Sequence, residues 1–413
     1  MAIPAINHAE LPNGLKVVHT QIKNSNVAYF GIAVRAGSCD ETNPAEFGLA
    51  HFVEHTIFKG TAKRSSWHII NRMEAVGGEL NAFTSKTDTV IYTVFPKGVL
   101  NRAVELVADL VLNSRFPQSE LLKERDVVCD EINSYLDSPA DAVYDDFEDA
   151  LYAGSSIGHN ILGTLESVKG MTSDMCREWL DRHYHAKNMV VFYAGPSGLT
   201  TFLRTAERFL SAIPVKNDHK AFINESAVKQ AFGVRKHIDS HQAHTVLGCA
   251  FPSLSPEKKV CTALLSNILG GPGMNSLFNV ALREKRGLVY SVESSISNWR
   301  DSSMFATYFG CDIEDNEKCI FIIKEIINDL CNGFLSPRKL SAAKKQYQGQ
   351  LLVASENPEN RIMSAARAKL NGREILTLEQ TDLLLSRITT DTVVECASLF
   401  AGLSALTFAP DQV

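Results

Sequence analysis

The sequence predicts an α+β protein made of two copies of one domain, each a mainly antiparallel sheet packed with helices. Three observations carry that prediction. Strand signals and helix signals come in runs instead of alternating one for one; their order in the first half returns in the second; and a polar segment separates the halves.

In chain order, residues 15–19 and 27–34 are apolar, β-branched runs that read as strands. Residues 44–58 read as a helix, with Asn43 as N-cap, Pro44 at the first helical position, and Glu46 placed to reach back and cap the same end; Gly60 supplies the stop. Residues 80–83 and 89–95 read as a hairpin, and 99–112 and 118–136 as helices. The apolar strand 189–194 ends in Gly195-Pro196-Ser197-Gly198, one more helical stretch follows, and a polar segment runs from Val215 to about Lys229. Beyond it, 234–237 and 245–251 read as strands, 258–269 as a helix, 288–296 and 304–310 as strands, and 318–331 and 338–354 as helices. The expected division is therefore residues 1–212, a linker 213–230, and residues 231–413.

At 413 residues the chain is too long for one ordinary core. Its 45% hydrophobic and 21% charged content excludes a disordered chain. No stretch supplies the ~18 consecutive apolar residues of a membrane-spanning helix, so no membrane role is expected. The start lacks a basic segment followed by an apolar one, and a cytoplasmic location is the expectation. Lys plus Arg number 41 against 47 Asp plus Glu, a net charge of −6, which argues against a nucleic-acid binder. Nine cysteines without a CxxC pair suit a reducing compartment.

The chemistry is concentrated in His51-Phe52-Val53-Glu54-His55. Two histidines four residues apart on a helix project from one face and can meet one metal ion, with Glu54 on the adjoining edge. The order H-x-x-E-H inverts the familiar H-E-x-x-H zinc helix. A catalytic zinc takes three protein ligands and keeps one position open, so a third ligand is needed. Helix 118–136 offers Glu124 and Glu131, two turns apart on nearly one face, and spacing alone does not choose between them. Two other features read as structural. His237, His241 and His244 lie in and between segments 234–237 and 245–251 that read as strands, where four- and three-residue spacings split the side chains between faces, and Gly270-Gly271-Pro272-Gly273 lacks the Lys-Ser/Thr ending of a phosphate loop.

Over nearly its whole length the chain resembles the pitrilysin/insulin-degrading-enzyme family of inverzincin metallopeptidases, most closely its short branch with the mitochondrial processing peptidase and bacterial relatives. The stretch from Phe47 to Thr61 resembles that family's zinc helix. Gly77-Gly78-Glu79-Leu80-Asn81-Ala82-Phe83-Thr84 resembles its substrate-binding edge strand, Glu124 to Ile132 its second metal segment, and Leu282 to Tyr290 the segment whose Arg and Tyr contact substrate. The resemblance implies zinc, one per chain, on His51, His55 and Glu131 in an N-terminal catalytic domain. It also implies Glu124 in support, Glu54 as general base, Asn81, Ala82, Phe83 and Thr84 along the substrate, and Arg283 and Tyr290 as contacts from a C-terminal domain without metal. One departure is Ser276-Leu277-Phe278, where relatives carry an Arg at the position of Leu277.

Counting back from Pro139 and Pro358 sets Gln350 against Glu131 and Ala343 against Glu124, while Thr262, Leu265 and Ser266 replace His51, Glu54 and His55. Only the first copy is then expected to bind metal. With two units where long relatives have four, the resemblance implies a homodimer, or a heterodimer with a related subunit, in which Arg283 and Tyr290 of one chain face the zinc of the other. The expected function is a zinc endopeptidase cutting short or unfolded peptides inside a dimeric chamber. The alternatives are a site-specific processing peptidase and a non-catalytic assembly subunit.

Overall fold

The computed structural model describes residues 4–216 and 231–410, so residues 217–230 of the expected linker lie outside the described residues. The first part of the chain forms β1 (Ile6–Glu10), β2 (Lys16–Gln21), β3 (Val27–Val34), α1 (Leu49–Thr56), α2 (Ser66–Glu74), β4 (Glu79–Thr84) and β5 (Thr89–Pro96). There follow α3 (Leu100–Asn113), α4 (Gln118–Leu136), α5 (Pro139–Leu151), α6 (Leu165–Gly170), α7 (Ser173–His183), β6 (Met189–Gly195) and α8 (Leu199–Leu210). The second part forms β7 (Gly233–His237), β8 (Ala243–Pro252), α9 (Pro256–Gly270), β9 (Val289–Asn298), β10 (Ser302–Cys311), α10 (Asn316–Cys331), α11 (Pro337–Ser355), α12 (Pro358–Leu370), α13 (Leu378–Arg387), α14 (Thr390–Ala397) and β11 (Ser404–Ala409).

Two sheets result, ordered β1-β2-β6-β3-β5-β4 and β7-β11-β8-β10-β9. Setting aside β1, the two have one topology. In each, the first and last strands of a five-strand set pair in parallel, and every other neighbouring pair is antiparallel. The repeat expected from the order of sequence signals is thus present in the strand connections, and the class is α+β.

The compact units are interleaved, which corrects the contiguous halves expected from the sequence. The unit holding the first sheet leaves the chain at Ile132, resumes at His159, and also takes in Ala354–Ile375; the other takes in Asn133–Gly158. The reason lies in the strands. In β6, Met189, Val191 and Tyr193 enter one core, together with the helices that carry the site, while Val190, Phe192 and Ala194 enter a second core. A sheet apolar on both faces needs two covers. The second is α12, from late in the chain, through Ile362, Ala365, Ala366 and Leu370. In the other unit α5 lies against β8, with the Phe147 ring 3.0 Å from where a Cβ on Gly248 would be.

The helix expected over 44–58 is also shorter than read. Pro44–Glu46 is one 3₁₀ turn, capped by Asn43 Oδ1 accepting from the Ala45 N–H at 3.0 Å. The Glu46 carboxylate accepts from the Thr42 N–H at 3.0 Å and does not close a box on Asn43. The chain breaks at Gly48, whose φ is +88° and where a Cβ would come within 2.5 Å of the Leu162 carbonyl oxygen. A side chain is excluded there on both counts, and the helix proper begins at Leu49.

Candidate metal centre

Leu49, Ala50, Phe52 and Val53 are fully buried in the first core, and they set the rotation of α1. Helix α4 reaches the same core through Leu121, Val128 and Ile132. These two packed faces bring His51, His55 and Glu131 together: one ligand atom from each lies within 4.8 Å of the others. His51 Nε2 is 3.8 Å and His55 Nε2 3.5 Å from Glu131 Oε2. Among the described residues this is the one cluster of three ligand-type side chains at such spacing.

Glu124, two turns before Glu131, is buried on the other side of His55. Its Oε2 lies 3.4 Å from His55 Nδ1, and its Oε1 2.6 Å from Lys59 Nζ. A carboxylate at Nδ1 selects the tautomer with the proton there, so that His55 Nε2 directs a lone pair toward Glu131. A lone pair facing a carboxylate oxygen is repulsive without a cation between them, and the N,N,O donor set suits zinc. His51, buried, is pushed down to about 3 by desolvation and by the neighbouring His55 ring, so its imidazole is neutral, as a metal ligand must be. Glu131 has 43% of its side chain exposed, which leaves one side of the cluster open to solvent.

Glu54 stands beside the cluster. Burial raises its carboxyl above the usual range, opposed by hydrogen bonds from the Thr84 hydroxyl and backbone and by His55. Thr84 ends β4, the edge strand, which pairs with β5 alone in the register Asn81↔Tyr92, Ala82↔Ile91, Phe83↔Val90, Thr84↔Thr89. Among the described residues, the strand that holds Asn81, Ala82, Phe83 and Thr84 therefore has an unpaired main-chain edge that ends at Glu54.

Arg283 and Tyr290 belong to the other unit. Arg283 lies on a π-helical turn, Asn279–Glu284, with its guanidinium 5.8 Å from the Tyr290 ring centroid, and Tyr290 projects 83% exposed from β9. Leu277 packs against the core of this other unit. At the positions matching the metal set, Thr262 Oγ1 donates to the Lys258 carbonyl at 3.0 Å, Leu265 and Ser266 are buried, and Gln350 Oε1 accepts from Asn267 Nδ2 at 2.8 Å. His244 pairs with the Tyr308 hydroxyl at 2.9 Å.

Two neighbours of the site escaped the sequence. Lys59 follows His55 by four residues, a spacing that marks a shared face and could have pointed to it. Tyr184, buried, with its phenol pushed up by desolvation and by the charge of Glu54, comes from the end of α7 and had no local signal.

Residues 16–165, which contain this cluster, match the family described as insulinase (peptidase family M16), and residues 170–347 match the domain described as peptidase M16 inactive domain. An uncharacterized zinc protease of Mycobacterium leprae is 31% identical over 386 residues, 93% of this chain and 86% of that protein. The uncharacterized zinc protease YmxG of Bacillus subtilis is 30% identical over 358 residues, 87% of this chain and 86% of that one. In fold, the chain is similar to the peptidase M16 inactive domain from Pseudomonas fluorescens (TM-score 0.91, 18% identity, 99% of this chain and 98% of that one). It is equally similar to a protease from Helicobacter pylori (TM-score 0.90, 20% identity, 98% of this chain and 100% of that one).

Proposed function

This chain belongs to the insulinase family, peptidase family M16, in its short bacterial branch, and from that membership we propose that it is a zinc-dependent endopeptidase acting on short or unfolded peptides. One observation carries the reading: His51, His55 and Glu131 converge within 4.8 Å, with Glu54 beside them at the end of a free sheet edge. Zinc held by those three side chains supplies Lewis acidity, bringing the pKa of water from ~15.7 toward ~7.

The protein's own groups do the rest. Glu124, braced by Lys59, holds His55 in its ligating tautomer. The Glu54 carboxylate takes a proton from the attacking water and hands it to the departing amine, and a carboxyl raised above its usual range is better matched to that exchange near neutral pH. The edge of β4 pairs with an extended peptide through main-chain groups, which gives affinity with little dependence on sequence. The half of the chain matched to the inactive domain carries no equivalent cluster among the described residues, which supports assigning it a substrate-contacting role through Arg283 and Tyr290. These two donors suit a peptide carbonyl and its developing oxyanion. In the proposed homodimer they come from the second subunit and close a chamber around the substrate.

The test is Glu54→Gln. The variant should keep about one zinc per chain and lose ~10²–10⁴-fold in cleavage of a quenched peptide; unchanged turnover removes Glu54 from the mechanism. Mixing Glu54→Gln chains with Arg283→Ala chains tests the shared site. Partial recovery is expected, and none from demonstrated heterodimers assigns each site to one chain.

A further inference from the structure

The metal helix has an anchor outside itself. Helix α1 is eight residues long, and its N-cap position is Gly48, which has no side chain with which to cap it. Eight residues do not hold a helix by themselves, and His51 is its third residue, inside the first turn. The N–H groups of that turn need acceptors.

Glu41, from the loop between β3 and α1, supplies them. Its Oε2 accepts from the Gly48 N–H and its Oε1 from the Ala50 N–H, both at 2.9 Å. The side chain is 0% exposed. His159 Nε2 lies 2.9 Å from Glu41 Oε2, and the His159 ring stacks on Phe47 with centroids 4.0 Å apart and planes 7° from parallel. Lys86 Nζ donates to the His159 carbonyl at 2.5 Å. The same stretch is tied twice more. Ser167 Oγ donates to the Phe47 carbonyl at 2.7 Å, and a Cβ on Gly163 would come within 2.2 Å of that oxygen. A fully buried carboxylate with both oxygens engaged on one helix end leaves that end little freedom to slide or turn.

We propose that Glu41, held in place by His159, is a positioning residue of the metal centre: it fixes the first turn of α1 and so the placement of His51 and His55 against Glu131. The inference rests on the zinc reading above. Partners that orient metal ligands typically account for 10–100-fold in metal affinity, and Glu41 acts one step further back, on the helix that carries the ligands.

The experiment measures zinc affinity of purified chains by competition with a chromophoric chelator, for wild type, Glu41→Ala, Glu41→Gln and His159→Gln. Val104→Ala, a core change in the same unit, serves as a stability control. Glu41→Ala should weaken zinc binding about 10–100-fold, with activity lost at limiting zinc and recovered at excess. Glu41→Gln, whose amide can accept from only one of the two N–H groups through its oxygen, should fall between, and it reads the effect even if Glu41→Ala fails to fold. His159→Gln should weaken binding less than Glu41→Ala, and Val104→Ala should leave affinity within about twofold. Wild-type affinity in folded Glu41→Gln and Glu41→Ala overturns this inference alone, because zinc binding itself then stands. A wild-type chain that takes up no zinc overturns the zinc reading, and this inference with it.

Discussion

Burial and the adjacent His55 ring push the His51 imidazole down to about 3 in the metal-free chain, against 6.5 when exposed. Between those values the unfolded chain binds a proton at this residue and the folded chain does not. Stability therefore rises with pH across the window and falls as pH drops below 6.5. By pH 4 the contribution lost is about 3 kcal/mol. Urea unfolding in the presence of a chelator should show this fall from pH 6.5 to pH 4 in the wild type and a smaller one in His51→Gln; equal pH dependence in the two would contradict it. His51, Glu54 and His55 were legible because their relation is local, four residues on one helix. Glu131 against Glu124 was not decided by spacing. The two share a helix face, and what separates them is the packing of Leu121, Val128 and Ile132, which turns α4 so that one carboxylate meets both Nε2 atoms and the other meets His55 Nδ1. Glu41 was invisible for a related reason, since its partners Gly48, Ala50 and His159 are joined only by the fold.

At the level of elements, the strands and helices that were read, β2 to β10 and α3, α4, α9, α10 and α11 among them, were placed to within a few residues, α4 and β3 to the residue, while β1, β11, α5 and α12 were not read. What the pattern did not carry was which helix covers which face. The unbroken apolar run of β6 is buried on both faces in the fold, but an amphipathic helix gives the same signal whichever sheet it packs on. Helix α12 also ties down the turn between β4 and β5, next to the proposed substrate edge. Arg367 Nε lies 2.5 Å from Oδ2 of the fully buried Asp88, its Nη2 2.8 Å from Oδ1, and its guanidinium sits over the Phe83 ring. Asp88 also accepts from the hydroxyls of Ser85 and Thr87, so losing the guanidinium leaves it only partly satisfied. Arg367→Ala is expected to cost about 1–3 kcal/mol, the cost of an underpaired buried group. Thermal unfolding checks the stability, and an unchanged midpoint would show that the pair contributes nothing.

Across the described residues, one five-strand topology occurs twice while the three-ligand cluster occurs once. The repeat was legible because strand and helix signals follow in the same order, and the asymmetry because Thr262, Leu265, Ser266 and Gln350 cannot make the set formed by His51, Glu54, His55 and Glu131. The interleaving of the two units was not legible, because nothing local distinguishes a helix that stays with its own half from one that packs on the other. Under the proposed zinc reading, such a scaffold accounts for how a single short helix would hold metal. Its partner carboxylates arrive on a packed helix, and the duplicated half is released from binding an ion. The most direct test of that account is the metal content of purified chains, measured alongside peptide cleavage, for wild type and Glu131→Gln. One zinc per wild-type chain, with metal and cleavage both lost in Glu131→Gln, is the predicted result; full zinc and full cleavage in Glu131→Gln would contradict it.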